Sequence, residues 1–166
     1  MRFSCVLIGL LLLGQFGCSP DDDVAPIDDT PSISPYFKDD PSISTLNGTW
    51  KVYCFENLIS RTLEFKTHEN SRGQDIIVEF DDTKDPKSFS GMKTTNGFAG
   101  EFNYVGSRQF KLKKVISTLI GQPPWGDEFD KVISEGHNNE ITFTINNDML
   151  CIWYAFKTKT VTLIKQ

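Results

Sequence analysis

Histidine is nearly missing from this chain. His68 and His137 are its only two, they lie far apart, and each sits in a polar stretch that reads as a turn, Thr67-His68-Glu69-Asn70 and Gly136-His137-Asn138-Asn139. Neither has a second ligand at metal spacing, so no metal and no cofactor is expected. A cysteine nucleophile needs a nearby base, and pairing Cys54 or Cys151 with either histidine is not what their strand-like settings suggest. Phosphate-binding glycine loops are also lacking, because Gly97 and Gly100 open a strand rather than a helix. Asp81-Asp82 and Asp127-Glu128 are carboxylate pairs, but they fall at a turn and a helix start, where acids serve structure. These shortages argue against an enzyme.

Basic excess is lacking too. Residues 45–166 carry as many Asp and Glu as Lys and Arg, and the net charge of −5 lies in the segment before them. The densest cationic cluster, Lys111, Lys113 and Lys114, reads as the wet face of a strand whose other face is Phe110 and Leu112, so nucleic acid is not an expected partner. A long hydrophobic run is the third absence. The apolar stretch Val6 to Leu13 is far shorter than the roughly 20 residues that cross a bilayer.

What that short run does resemble is an export signal. Met1 to Gly17 has one early cation, Arg2, an apolar centre and small residues at Gly14 and Gly17, and it stops at Cys18. The pattern is similar to a bacterial lipoprotein signal, with Gln15 and Phe16 bulkier than usual in the cleavage box. The resemblance implies cleavage before Cys18, acylation there, palmitate included, and a membrane contact through that lipid in the outer membrane. Residues 18–44 then read as a lipidated cysteine and a disordered acidic tether, rich in Asp and Pro. Ser19-Pro20-Asp21-Asp22-Asp23 is similar to a signal that sends some lipoproteins to the cell surface; the plainer alternative is that acids keep a tether solvated.

Residues 45–166 suit one domain. Short alternating segments recur at Thr49–Phe55, Thr62–Lys66, Ile76–Phe80, Phe98–Tyr104, Gln109–Ile116, Glu140–Ile145, Met149–Phe156 and Thr160–Ile164. Gly106-Ser107 and Asn146-Asn147-Asp148 read as hairpin turns. One helix is expected at about Glu128–Glu135, capped by Asp127 and ended by Gly136, with Phe129, Val132 and Ile133 facing the sheet. The expected fold is mainly β (α+β): a small antiparallel β-barrel of about eight strands with one helix, closed because closure removes exposed edges. Ten phenylalanines lie in this region, and with Trp50, Trp153, Tyr104 and Tyr154 they would fill a small interior.

Two family resemblances attach to these segments. Leu46-Asn47-Gly48-Thr49-Trp50-Lys51-Val52 is similar both to the Gly-x-Trp opening strand of lipocalins and to the first strand of META domains, bacterial envelope barrels. Phe89-Ser90-Gly91, Thr94-Thr95-Asn96-Gly97-Phe98-Ala99-Gly100, Val115-Ile116-Ser117-Thr118 and Glu128-Phe129 resemble successive META elements. The META resemblance implies a binding or envelope-support role; the lipocalin one implies carriage of a small apolar ligand. This chain departs from META at the cysteines of that family's probable disulfide: Thr95 stands at one position, and the Gly121-Gln122 region at the other.

Two further sites are singled out. Cys54 and Cys151 lie on first and late strands, so they either bridge or stay as two buried free thiols. The loop Gly121-Gln122-Pro123-Pro124-Trp125-Gly126 offers Trp125, stiffened by Pro123 and Pro124, as a contact for a protein partner; the alternative is that Trp125 packs beneath the helix.

Overall fold

Strands form here wherever apolar side chains recur at every second position, and the sheet they build closes on itself. The computed structural model describes residues 37–166. Cys18, the signal-like segment before it and the tether to residue 36 lie outside the described residues. The strands are β1 (Gly48–Asn57), β2 (Thr62–Phe65), β3 (Ile76–Asp81), β4 (Ser88–Lys93), β5 (Asn96–Gly106), β6 (Gln109–Ser117), β7 (Ile141–Asn146), β8 (Met149–Tyr154) and β9 (Lys159–Lys165). A short helix α1 (His68–Ser71) follows β2, and α2 (Pro124–Asn138) joins β6 to β7.

Every neighbouring pair is antiparallel, in the order β2-β1-β3-β4-β5-β6-β7-β8-β9, and β9 returns to pair with β1. The expected mainly β architecture is therefore what the chain adopts: an eight-strand antiparallel barrel with β2 as an added strand. β1 serves three partners by splitting one edge along its length. Gly48 to Lys51 face β3, Cys54 to Asn57 face β2, and the other edge follows β9 from Trp50 to Asn57 past a bulge between Val52 and Cys54. That bulge restores inward alternation, so Val52 and Phe55 both point to the core beside Leu163 and Val161.

The eight segments expected from alternation are all strands, but their membership in the barrel differs. Thr62–Phe65 lies outside the ring, and β4, absent from the expectation, lies inside it. β4 hides from a periodicity reading because its inward positions are Phe89, Gly91 and Lys93, only one of them a large apolar residue. Across the β4–β5 ladder, Phe89 faces Gly100 and Phe98 faces Gly91. Each ring lies over the cross-strand glycine. A Cβ on Gly100 would stand 1.8 Å from the Lys114 carbonyl oxygen and 2.6 Å from the Phe89 ring, and one on Gly91 would stand 2.0 Å from the Ile77 carbonyl oxygen. The strongly coiled sheet and its aromatic filling thus require hydrogen at both Cα positions.

α2 differs from the expected helix in both bounds. It begins at Pro124, whose fixed φ and missing N–H suit the first turn, and no side chain caps it. It also runs through Gly136, which is buried where a Cβ would meet Ile141 and Leu112, so this glycine admits a close helix–strand approach instead of ending the helix. His137 and His68 are helical residues rather than loop residues. The tether also ends earlier than Ser44: Asp39 and Asp40 are already hydrogen-bonded to the barrel through Ile145.

Gly100→Ala is expected to destabilise the domain by about 2 kcal/mol through overpacking. Gly97→Ala, whose Cβ would make ordinary contacts with the Met92 sulfur at 3.7 Å and the Gly91 carbonyl oxygen at 4.0 Å, is expected to change stability by less than about 0.5 kcal/mol. Urea denaturation of the two variants checks the contrast.

Candidate functional site

The two ends of the barrel are built differently. At one end β6 and β7 pair only through Gln109–Thr142 and Phe110–Ile141, so the wall parts, and α2 fills the gap. Trp125 (0 % exposed), Phe129, Val132 and Ile133 enter the core. Phe129 lies 5.9 Å from Phe98, and Trp125 packs edge-on to Phe55 at 4.6 Å, ring centre to ring centre. Of the two alternatives for Trp125, a partner contact or a packed ring, the structure shows the packed ring. Its loop setting dissolves into the first turn of α2, where the only place for an apolar ring is inward; Pro123 is buried with it, and Pro124 is left exposed.

A polar network fastens this plug. Lys93 points inward from β4, is 3 % exposed, and donates to Asp130 of α2, which also accepts from Gln122. Asn96 holds the β6–α2 connection with all its polar atoms: its Nδ2 donates to the Ile120 carbonyl (2.7 Å) and Gln122 Oε1 (3.1 Å), and its Oδ1 accepts from the Ile120 N–H (2.9 Å) and the Thr118 hydroxyl (3.1 Å). Thr95 donates from its hydroxyl to the Gly121 carbonyl at 3.5 Å. Glu128 ties α2 to β8 and β9. Burial opposes its ionisation, but hydrogen bonds from Lys131, Lys159 and Tyr154 outweigh that and hold its carboxyl down to about 2.

The opposite end is sealed by a strap that enters from residue 39. Arg108 organises it, donating from Nε to Asp39 (2.9 Å), from Nη1 to the Ile43 carbonyl (2.6 Å) and from Nη2 to the Asp40 carbonyl (2.7 Å), with its guanidinium 5.7 Å from the Phe143 ring centre. Leu46 follows as a buried stopper. Its N–H donates to the Tyr104 hydroxyl and its carbonyl accepts from Trp50 Nε1. Tyr104 in turn donates to Asp82 at 2.9 Å; burial pushes its hydroxyl up to about 12. Nothing in the composition flagged Arg108, because a lone arginine in a hairpin turn carries no pattern.

Between these closures lies a cavity of about 20 Å³, walled by apolar residues that include Phe80, Phe89, Phe110, Phe129 and Leu163. Such a space holds about one water molecule.

Of the two alternatives for the cysteines, the structure shows two free, buried thiols and no bridge. Cys54 and Cys151 both stand opposite Thr162, on either side of β9. Two strand spacings separate them by about 9–10 Å, beyond the roughly 7 Å a disulfide tolerates. Burial pushes the thiols up to about 11 and about 12, so both are protonated and unreactive at neutral pH. Among the described residues no three His, Cys, Asp or Glu side chains group as a metal would need, and no helix is long and apolar enough to cross a membrane.

No known family profile matches the chain, and no curated protein does. Solved structures share its fold. A protein from Burkholderia xenovorans, determined by NMR, superposes with a TM-score of 0.59 at 11% identity, over 77% of this chain and 89% of that one. A second protein determined by NMR gives 0.51 at 19% identity, over 76% and 94%. A crystal structure of a DUF4847 family protein from Bacteroides vulgatus gives 0.49 at 18% identity, over 72% and 94%. For the first two, at these identities, the likeness is one of fold.

Removing Asp130 strands a buried ammonium. Asp130→Ala is expected to cost about 3 kcal/mol, and the Lys93→Met/Asp130→Ala double variant is expected to recover much of that loss in thermal or urea unfolding. Glu128 gives a pH signature. Its folded carboxyl lies below its ordinary value of 4.5, so the stability it contributes is complete above pH 4.5 and is lost as pH falls toward 2. Glu128→Gln is expected to be less stable than the unsubstituted chain at pH 7, with the gap closing across that window in acid titration of the two unfolding curves.

Proposed function

We propose that this chain is a lipid-anchored cell-envelope protein whose META-like barrel acts by binding or envelope support rather than by catalysis. The observation that carries this reading is the filled interior. With room for about one water inside the barrel, whatever the domain recognises meets its outer surface. The groups that chemistry would draw on are occupied or silent: Lys93 is locked to Asp130, both thiols stay protonated, and the histidines lie on separate helices.

Two contacts support the META resemblance. Asn96 and Thr118, which stand at elements shared with that family, hydrogen-bond to one another. Thr95 and the Gly121-Gln122 region, where the resemblance would put the family's probable disulfide, meet through the Thr95 hydroxyl and the Gly121 carbonyl. In this reading the cysteines were replaced together and a hydroxyl–carbonyl contact remains at the same place. The anchoring half of the proposal rests on the signal-like segment ending at Cys18, with the outer membrane as its site and the cell surface as the face the Asp21-Asp22-Asp23 run favours.

Lipocalin-like carriage of a small apolar ligand is the second reading, and the wholly apolar wall favours it. It requires α2 to swing out, because Phe129, Val132 and Ile133 occupy the space a ligand would take.

In an envelope-forming bacterial host, alkynyl-palmitate is expected to label the chain and Cys18→Ser is expected to abolish labelling and membrane fractionation together; an unlabelled parent chain would sink the anchor. Native mass spectrometry of the protein from that host is expected to give the bare mass of the processed chain, whereas a small adduct lost on denaturation would favour the carrier.

A further inference from the structure

Large apolar side chains that face solvent are not spread evenly over this barrel. Among the described residues the large apolar side chains more than half exposed all lie at the α2 end: Ile59 (78 %), Phe156 (88 %), Leu119 (96 %) and Ile120 (64 %) in its loops, and Ile116 (71 %) where β6 runs out to it. Ile59 and Phe156 belong to adjacent loops, joined by a hydrogen bond from the Leu58 N–H to the Thr158 carbonyl at 2.9 Å.

These loops are held in a costly shape. Ala155, Phe156 and Lys157 take φ of 50°, 55° and 64° in succession, and Arg61 takes 54°. Left-handed backbone costs non-glycine residues about 1 kcal/mol or more each. The β8–β9 turn persists because Glu135 of α2 accepts the N–H groups of both Ala155 (2.6 Å) and Phe156 (3.2 Å). A carboxylate on the plug helix thus fixes an aromatic ring outward into water. Beside the two apolar tips stand Arg61 and Lys157, both exposed, and neither is in an ion pair among the described residues.

We propose that this rim is a docking surface for an anionic lipid bilayer. The apolar tips sit on separate loops at one end of the ring, so a plane can meet them together, and lipid needs no complementary pockets. A protein partner would draw on a continuous face of about 800 Å², whereas Ile59 and Phe156 stand on the β1–β2 and β8–β9 loops and Leu119 and Ile120 on the β6–α2 connection. Unpaired cations next to an aromatic and aliphatic tip suit the boundary between phospholipid headgroups and acyl chains. The strap enters at the opposite end, so the rim stays accessible whether or not Cys18 is acylated, and the proposal stands apart from the anchor.

Hydrogen–deuterium exchange of the full chain reads the rim locally, whatever residues 1–36 do. On phosphatidylglycerol vesicles, amides at 58–61, 119–120 and 155–158 are expected to exchange at least about tenfold more slowly than on phosphatidylcholine vesicles. In Ile59→Ser/Phe156→Asn, where asparagine keeps the left-handed preference, protection at 119–120 is expected to disappear with an unchanged melting temperature. Equal exchange on both vesicles, protection that survives in the double variant, or protection of the rim by a protein partner without lipid would each overturn it.

Discussion

The pairing of β1 with β9 is the constraint on which the rest of this molecule depends. Closing the ring makes the first strand serve three neighbours, and a ten-residue strand does so only by bulging between Val52 and Cys54. The bulge brings Phe55 inward, and Phe55 is what Trp125 packs against. The plug helix is thus seated by a local irregularity in the first strand. Closure also fixes the fate of the cysteines, since interposing β9 between β1 and β8 puts Cys54 and Cys151 too far apart to bond.

Much of the fold was legible because antiparallel strands write themselves at period two. Ile76, Val78 and Phe80, or Ile141, Phe143 and Ile145, alternate cleanly and became interior faces. β4 did not, because its inward glycine and lysine answer demands that lie elsewhere: Gly91 makes way for Phe98, and Lys93 reaches Asp130. Both reasons are tertiary. Pairings 37 residues apart leave no local trace, and so this strand was absent from the periodicity reading.

The candidate sites were less legible. Trp125 between prolines and glycines reads either as a loop contact or as a ring packed beneath the helix, and the second holds, because Pro124 is a helix-starting proline and the ring points to the core. The segment that presents the most exposed aromatic among the described residues, Ala155-Phe156-Lys157, reads as a strand end, because left-handed backbone at three non-glycine residues is something sequence gives no reason to expect. Its cause is Glu135, twenty residues earlier. Asp39 and Asp40 mislead in the same way, looking like members of an acidic tether while serving as partners for Ile145 and Arg108.

The result is a barrel with two unlike ends. One is closed by chain already on its way from the N-terminus, through Leu46 and Arg108, and its polar groups are consumed in doing so. The other is closed by a helix whose polar groups reach outward as well as inward: Asp130 secures the plug, and Glu135 sets the loop above it. A single element therefore couples the packed core to the outermost loops. Distortion of α2, whether through Lys93 and Asp130 or through the Trp125 seat, must change the shape of the Phe156 turn, because the N–H groups that hold that turn end on α2. Rigidity of the filled interior is then more than stability, since it is what allows a strained loop to stay in the conformation that exposes its ring.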